Sequence, residues 1–152
     1  MLSKLHSIFQ AAMGWQDCYL HCFEIGDLRY GNADPDFELD DIDEDTVVMA
    51  DVVGERARFD YEYDFGDSWS HEVVVESVTT LPVVLKYAVC LDGQRACPPE
   101  DVGGIDTYER VLQAIRDPRH EEHNEYTDWL PPGFDPEAFN LAATNAALQR
   151  VR

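Results

Sequence analysis

Two short stretches concentrate the side chains that could do chemistry. Tyr61-Glu-Tyr-Asp-Phe-Gly-Asp-Ser-Trp-Ser-His71 sets Asp64, Asp67, Trp69 and His71 about one tight turn, and Cys90 to Gly104 carries Cys90, Cys97, Glu100 and Asp101 among prolines and glycines. Cys90, Cys97 and His71 are metal-ligand types, and Asp67, Glu100 or Asp101 could complete a tetrahedral zinc set. The six residues between the two thiols exceed the two to four of a zinc knuckle, and the cysteines also read as small buried hydrophobes under a Pro-Pro turn. Cys97 with His71 would make a nucleophile pair only if both lined one cleft and the thiol pKa were lowered. An enzyme built from these stretches would show a concave pocket lined by Asp67, His71 and Glu100. His120-Glu-Glu-His123 spaces its imidazoles at i, i+3, whereas a hydrolytic zinc helix needs i, i+4; it reads as a solvated helix face.

The elements that must position these residues follow from periodicity. Phe59, Tyr61, Tyr63 and Phe65 share one parity, with Asp60, Glu62 and Asp64 between them, so residues 57–65 read as a strand with one apolar face. Trp69, His71, Val73 and Val75 give 69–78 the same pattern. A three-residue loop, Gly66-Asp67-Ser68, pairs Phe65 with Trp69 and Tyr63 with His71 and keeps one face apolar; a two-residue loop would bury charges. On the apolar face His71 reads as a core histidine with one hydrogen-bond partner rather than as a ligand or base. The Cys97-Pro-Pro-Glu-Asp101 turn is expected beside the hairpin tip, because loops rich in Gly, Pro and acids gather at one end of a sheet.

The remaining chain reads as α+β, in one domain with no internal repeat or linker. Leu2, Leu5, Ile8, Phe9, Ala12 and Met13 recur at helical spacing up to Gly14. Tyr19–Ile25 and Leu28–Tyr30 form a hairpin about Gly26-Asp27. Residues 46–53 suit a strand or a short helix, and Val83–Val89 a strand. Asp106 and Glu109 resemble a capping box for a helix with Val111, Leu112 and Ile115 inward, ended by Pro118. A helix over 120–130 and a last one opening at Asp135-Pro136-Glu137 complete the series.

At 45% hydrophobic and 11% aromatic residues the chain has the means to build a core, and its net charge of -20 bounds its partners. Duplex DNA and anionic membrane surfaces both require Lys and Arg in excess. No apolar run spans a bilayer and no signal peptide opens the chain, so the four cysteines are expected as reduced thiols in a cytosol. Much of the charge lies between Asp34 and Asp45. That run lacks the fixed glycine and terminal glutamate of a calcium loop and reads as a solvated loop tacked down by Phe37, Leu39 and Ile42.

Several segments, in order, carry a resemblance. Gly14-Trp15, Leu20-His-Cys-Phe23, the Tyr61–His71 stretch, the Cys90–Gly104 loop with its Ala-Cys-Pro-Pro-Glu-Asp-Val-Gly-Gly core, Asp117-Pro118, His120–His123 and Phe134–Phe139 are similar to the plasmid pRiA4b ORF-3-like family. The resemblance implies a mixed sheet covered by helices, over residues 1–152 as a single domain. Members occur on plasmids and near mobile elements, and some carry a resolvase label. They usually begin with a strand and a segment rich in Pro, Trp and Arg before the first helix. Here Met1 lies at that helix, so either a truncated start or a sheet lacking one or two strands is expected, with a more exposed edge.

The chemistry of a serine recombinase is not supported by the residues. It needs a nucleophilic serine backed by several arginines on the scissile phosphate. Ser3, Ser7, Ser68, Ser70 and Ser77 have no such cluster, and the close pair Arg56 and Arg58 stands apart from them. The reading that remains is a non-catalytic protein-interaction module, with no cofactor, for a partner with a basic or strand-like surface. The alternatives are a metal protein using His71, Cys90 and Cys97, and an acidic decoy that mimics nucleic-acid charge. Acids in rows across one face would favour the decoy; a single acidic flap would not.

Overall fold

The computed structural model describes residues 1–32 and 41–151. Expectations for Asp34–Asp40, including the anchoring roles of Phe37 and Leu39, lie outside the described residues. Helix α1, Leu2–Met13, lays Leu2, His6 and Gln10 inward at i, i+4, i+8, and Gly14 ends it in the left-handed conformation at φ 81° with its N–H on the Gln10 carbonyl. Strands β1 (His21–Ile25) and β2 (Leu28–Gly31) turn at Gly26-Asp27 as expected, with Ile25 opposite Leu28. Strand β3 (Ile42–Asp43) pairs parallel with β2; a 3₁₀ turn at Glu44–Thr46 follows, and the 46–53 run resolves as the short helix α2, Met49–Val52.

Strands β4 (Arg58–Tyr63) and β5 (Trp69–Val74) complete a mixed five-stranded sheet of order β3-β2-β1-β4-β5. The hairpin parity is as expected, but the register is not. Tyr63 faces Trp69, Tyr61 faces His71 and Phe59 faces Val73, two residues away from the three-residue-loop alignment. The connection is a five-residue loop, 64–68. Asp64 and Ser68 both take positive φ (57° and 52°), and the Asp64 carboxylate accepts from the Gly66 and Asp67 amides, closing a wider turn than Gly66-Asp67-Ser68 alone. A shift by two preserves which face is apolar, so Tyr61, Tyr63 and Trp69 are buried and Val73 half-buried. Phe65 leaves that face and lies under the Arg29 guanidinium, 5.7 Å from its ring centre.

Helix α3, Gly104–Arg116, begins before Asp106, at Gly103 and Gly104 with φ 88° and 78°, and no side chain caps it. The expected capping box therefore does not form. A Cβ on Gly104 would stand 2.8 Å from the Asp67 carbonyl oxygen, so the close approach of hairpin tip and helix start requires glycine there. Helix α4, His123–Trp129, is shorter than expected, because 117–122 form turns. The Asp135–Ala138 segment is a single turn, and α5, Leu141–Leu148, is opened instead by Asn140, whose side chain accepts from the Ala143 amide. Val83–Val89 is not a strand: residues 75–103 contain no regular element.

The core lies between α1 and one face of the sheet. Phe9 and Met13 pack with Phe23, Phe59, Tyr61 and Tyr63, while α3, α4 and the 97–102 loop add Val102, Val111 and Leu130. Trp69 is buried and meets Trp15 and Tyr108 at ring-centre distances of 6.2 and 6.4 Å. Trp69→Ala is expected to destabilise the fold by about 3–5 kcal/mol, measured by urea unfolding. A cost below about 1 kcal/mol would place the indole among surface residues instead.

Candidate functional sites

The hairpin tip and the Cys-Pro-Pro loop meet, as their composition suggests, and the polar groups there bind one another. Asp64 holds its own loop. Asp67 accepts from the Gly103 amide at 2.9 Å. Glu100 Oε1 accepts from the Tyr63 hydroxyl at 2.8 Å and from the Gln16 amide at 2.9 Å. Asp101 accepts from the Tyr19 hydroxyl, and that hydrogen bond pushes the phenol up to about 12. Trp15 bridges the two stretches: its indole N–H donates to the Pro98 carbonyl, and its ring stacks on Tyr63 and meets His71 edge-on, 5.6 Å between centres. The acids that the sequence marks at this junction are engaged by backbone amides and tyrosine hydroxyls.

His71 is half-buried, with Nδ1 3.3 Å from the Tyr61 carbonyl oxygen, in keeping with a histidine held by one partner. Cys97 packs against the core, and burial, with Glu100 adding to it, pushes its thiol up to about 12; a nucleophile needs the opposite shift. Cys90 lies where its main chain exchanges hydrogen bonds with the Asn145 side chain of α5, at 2.9 Å each way. Among the described residues no three His, Cys, Asp or Glu side chains are grouped to hold a metal ion. His120 and His123 turn to different partners: His120 accepts from the Glu122 amide, and His123 Nδ1 donates to the Ala114 carbonyl. Two clefts, of about 470 and 480 Å³, are lined by other residues than Asp67, His71 and Glu100.

The second of these clefts opens beside a buried polar cluster that sequence reasoning misses. His6 and His21 stack with ring centres 3.4 Å apart and planes 5° from parallel. His21 Nε2 lies 3.0 Å from Glu44 Oε2, and His6 Nε2 lies 2.7 Å from Asp17 Oδ1. The bonds about His6 close a directed circuit. The Asp17 amide donates to Gln10 Oε1, Gln10 Nε2 donates to the Tyr61 hydroxyl, that hydroxyl donates to His6 Nδ1, and His6 Nε2–H donates to Asp17. In this direction the His6 imidazole is neutral. Burial first, and His21 second, lower its pKa, although Asp17 and Glu44 pull the other way. The signal in the sequence is two polar residues, His6 and Gln10, on the inward i, i+4 row begun by Leu2.

The opposite face of the sheet buries Cys22 but otherwise exposes a row of charge. Glu24, Asp60 and Glu72 lie side by side on β1, β4 and β5, with Glu62 one step along β4. Arg29 and Arg58 flank the row; Arg58 holds Glu72 at 2.7 Å, and Arg29 lies 3.8 Å from Glu24. Glu24, Asp60 and Glu72 are exposed and Glu62 is half-buried.

The His6 circuit sets a pH dependence. An imidazole of ordinary value 6.5 in the unfolded chain and a lower one in the fold binds more protons when unfolded, so stability falls as pH drops below about 6.5. His6→Gln, which keeps a hydrogen-bonding side chain without the titration, is expected to show a shallower loss between pH 7 and pH 5.5 in paired urea unfolding series. Parallel slopes for the two proteins would show that His6 titrates alike in folded and unfolded chains.

Residues 1–143 match the family described as plasmid pRiA4b ORF-3-like protein. The chain is 36% identical over 151 residues to the uncharacterized protein y4hQ of Sinorhizobium fredii (strain NBRC 101917 / NGR234), covering 97% of this chain and 77% of that protein. It is also similar to the crystal structure of MM3350, a protein of unknown function from Methanosarcina mazei Go1. There the TM-score is 0.81 with 34% identity, over 91% of this chain and 79% of that one. These matches run the length of the α+β fold described above, and the chain belongs to the plasmid pRiA4b ORF-3-like family.

Proposed function

We propose that this protein is a non-catalytic interaction module whose open sheet face binds a basic protein surface. The observation that carries the reading is the row Glu24–Asp60–Glu72. Like charges at directly opposed cross-strand positions destabilise a sheet, so a face built this way maintains a negative potential at a cost in stability. Asp67 and Glu100 at the hairpin–loop junction accept internal hydrogen bonds, whereas this row is exposed, with Arg29 and Arg58 at its ends. A net charge of -20 extends the attraction outward and speeds encounter with a cation-rich partner. The same rows of acid support a second reading, in which the basic partner is a nucleic-acid-binding protein and the face occupies its DNA site. Bare duplex DNA is repelled within a Debye length of about 8 Å at physiological salt.

A labelled arginine-rich peptide tests the reading by fluorescence anisotropy. Binding is expected to weaken as salt rises, and Asp60→Lys with Glu62→Lys is expected to weaken it about tenfold, equivalent to about 1.4 kcal/mol. Glu121→Lys with Asp128→Lys, both exposed and outside the sheet, makes the same change in net charge and is expected to alter binding little. Equal effects of the face and control variants would mean that bulk charge, not this face, does the binding. Labelled duplex DNA is expected not to bind at about 0.15 M salt; micromolar affinity there would overturn the reading.

A further inference from the structure

The segment between β5 and Cys90 has the sequence of a strand and no place in the sheet. From Val78 to Leu91 it exposes a run of large apolar side chains, with Val84 95% and Leu91 85% accessible. Among the described residues its main chain from 77 to 89 makes no hydrogen bond with another main-chain group. Both ends are fixed: the Val75 N–H donates to the Ala57 carbonyl, and Cys90 is held by Asn145. A single-chain protein seldom leaves a contiguous apolar, strand-forming stretch in water.

Strand β5 ends the sheet and offers a complementary edge. Its inner-face residues His71 and Val73, and Val75 beyond it, are only half-buried, so the core is incompletely covered there. Its outer-face residues are Ser70, Glu72 and Val74. The segment alternates to match. Val83, Leu85, Tyr87 and Val89 form one apolar row, and Val84, Lys86 and Ala88 the other. Added as a strand at this edge, the first row would extend the cover over Val73 and Val75, and the second would set Lys86 beside Glu72 on the acidic face.

We propose that residues 82–89 of one copy add to the β5 edge of a second copy, reciprocally, in a two-fold dimer. Charge selects the second copy. Two bodies of net charge -20 repel, and the donor segment offsets this at the contact: residues 77–91 contain no Asp or Glu and carry one cation, Lys86, opposite the acceptor's Glu72. The other long acid-free stretches, 1–16 and 138–152, include α1 and α5, which pack on each other. One copy supplies both the donor strand and the acceptor edge. A two-fold axis therefore satisfies both and closes the assembly, leaving no edge for a third chain.

Sedimentation equilibrium on the full chain is expected to give twice the chain mass. Leu85→Pro removes strand pairing from a segment outside the core and is expected to give a single-chain mass with unchanged near-UV circular dichroism. Adding a synthetic peptide of residues 81–91 to the Leu85→Pro protein is expected to slow amide exchange in Trp69–Val74. The Lys86→Glu peptide is expected to bind about tenfold more weakly. A single-chain mass for the wild type overturns the proposal. That is the result given by a strand folded back in its own chain or by a segment reserved for a foreign partner. A dimer that Leu85→Pro leaves intact, or a peptide without effect on β5, overturns it equally.

Discussion

The docking of α1 on the sheet turns on the hydroxyl of Tyr61. The residue is 1% exposed, in the middle of β4, and burial, with Asp17 and Glu44 adding to it, pushes its phenol pKa far above the ordinary value. Such a group is tolerated only with partners, and it has two on the helix, His6 and Gln10. The same pair reaches Asp17, just past the end of α1, and so fixes the direction in which the chain leaves the helix. Trp15 and Glu100 can bridge the hairpin to the Cys-Pro-Pro loop because residues 14–17 are held in this way. Around this polar lock the aromatic rings of Phe9, Phe23, Phe59 and Tyr63 supply the apolar burial.

One consequence is an asymmetric sheet. The face against α1 holds the aromatic residues and the buried polar circuit. The other carries Glu24, Asp60, Glu62 and Glu72, with arginine only at its margins. The loop acids Asp64, Asp67, Glu100 and Asp101 accept internal hydrogen bonds, whereas Glu24, Asp60 and Glu72 are exposed on the other face of the sheet. The fold thus separates acids that build the structure from acids that face outward, a distinction that net charge alone does not make.

Much of the fold was legible from patterning. The helix ending at Gly14, the two hairpins and the apolar face of Tyr61, Tyr63 and Trp69 all follow from period and turn residues. The hairpin register was not, because parity cannot distinguish a three-residue from a five-residue loop, and the Asp64 side chain decides between them. The capping box at Asp106 failed because the contact of Gly104 with Asp67 starts the helix earlier, a tertiary constraint invisible locally. Val83–Val89 has strand composition, yet a strand needs a neighbour, and the described residues of this chain provide none. The His6–His21 cluster joins α1, β1 and the turn at Glu44, far apart in sequence. Only the polar His6 and Gln10 on an inward helix row hinted at it.

The account stands or falls on which face a partner touches. The direct measurement is amide chemical-shift mapping of the labelled protein as it is titrated with the arginine-rich peptide. The account predicts saturable shifts at Glu24, Asp60, Glu62 and Glu72, with the amides around His6, His21 and Glu44 unmoved. Shifts centred on His6, His21 and Glu44 would contradict it and make the polar cleft beside the stacked imidazoles the binding site.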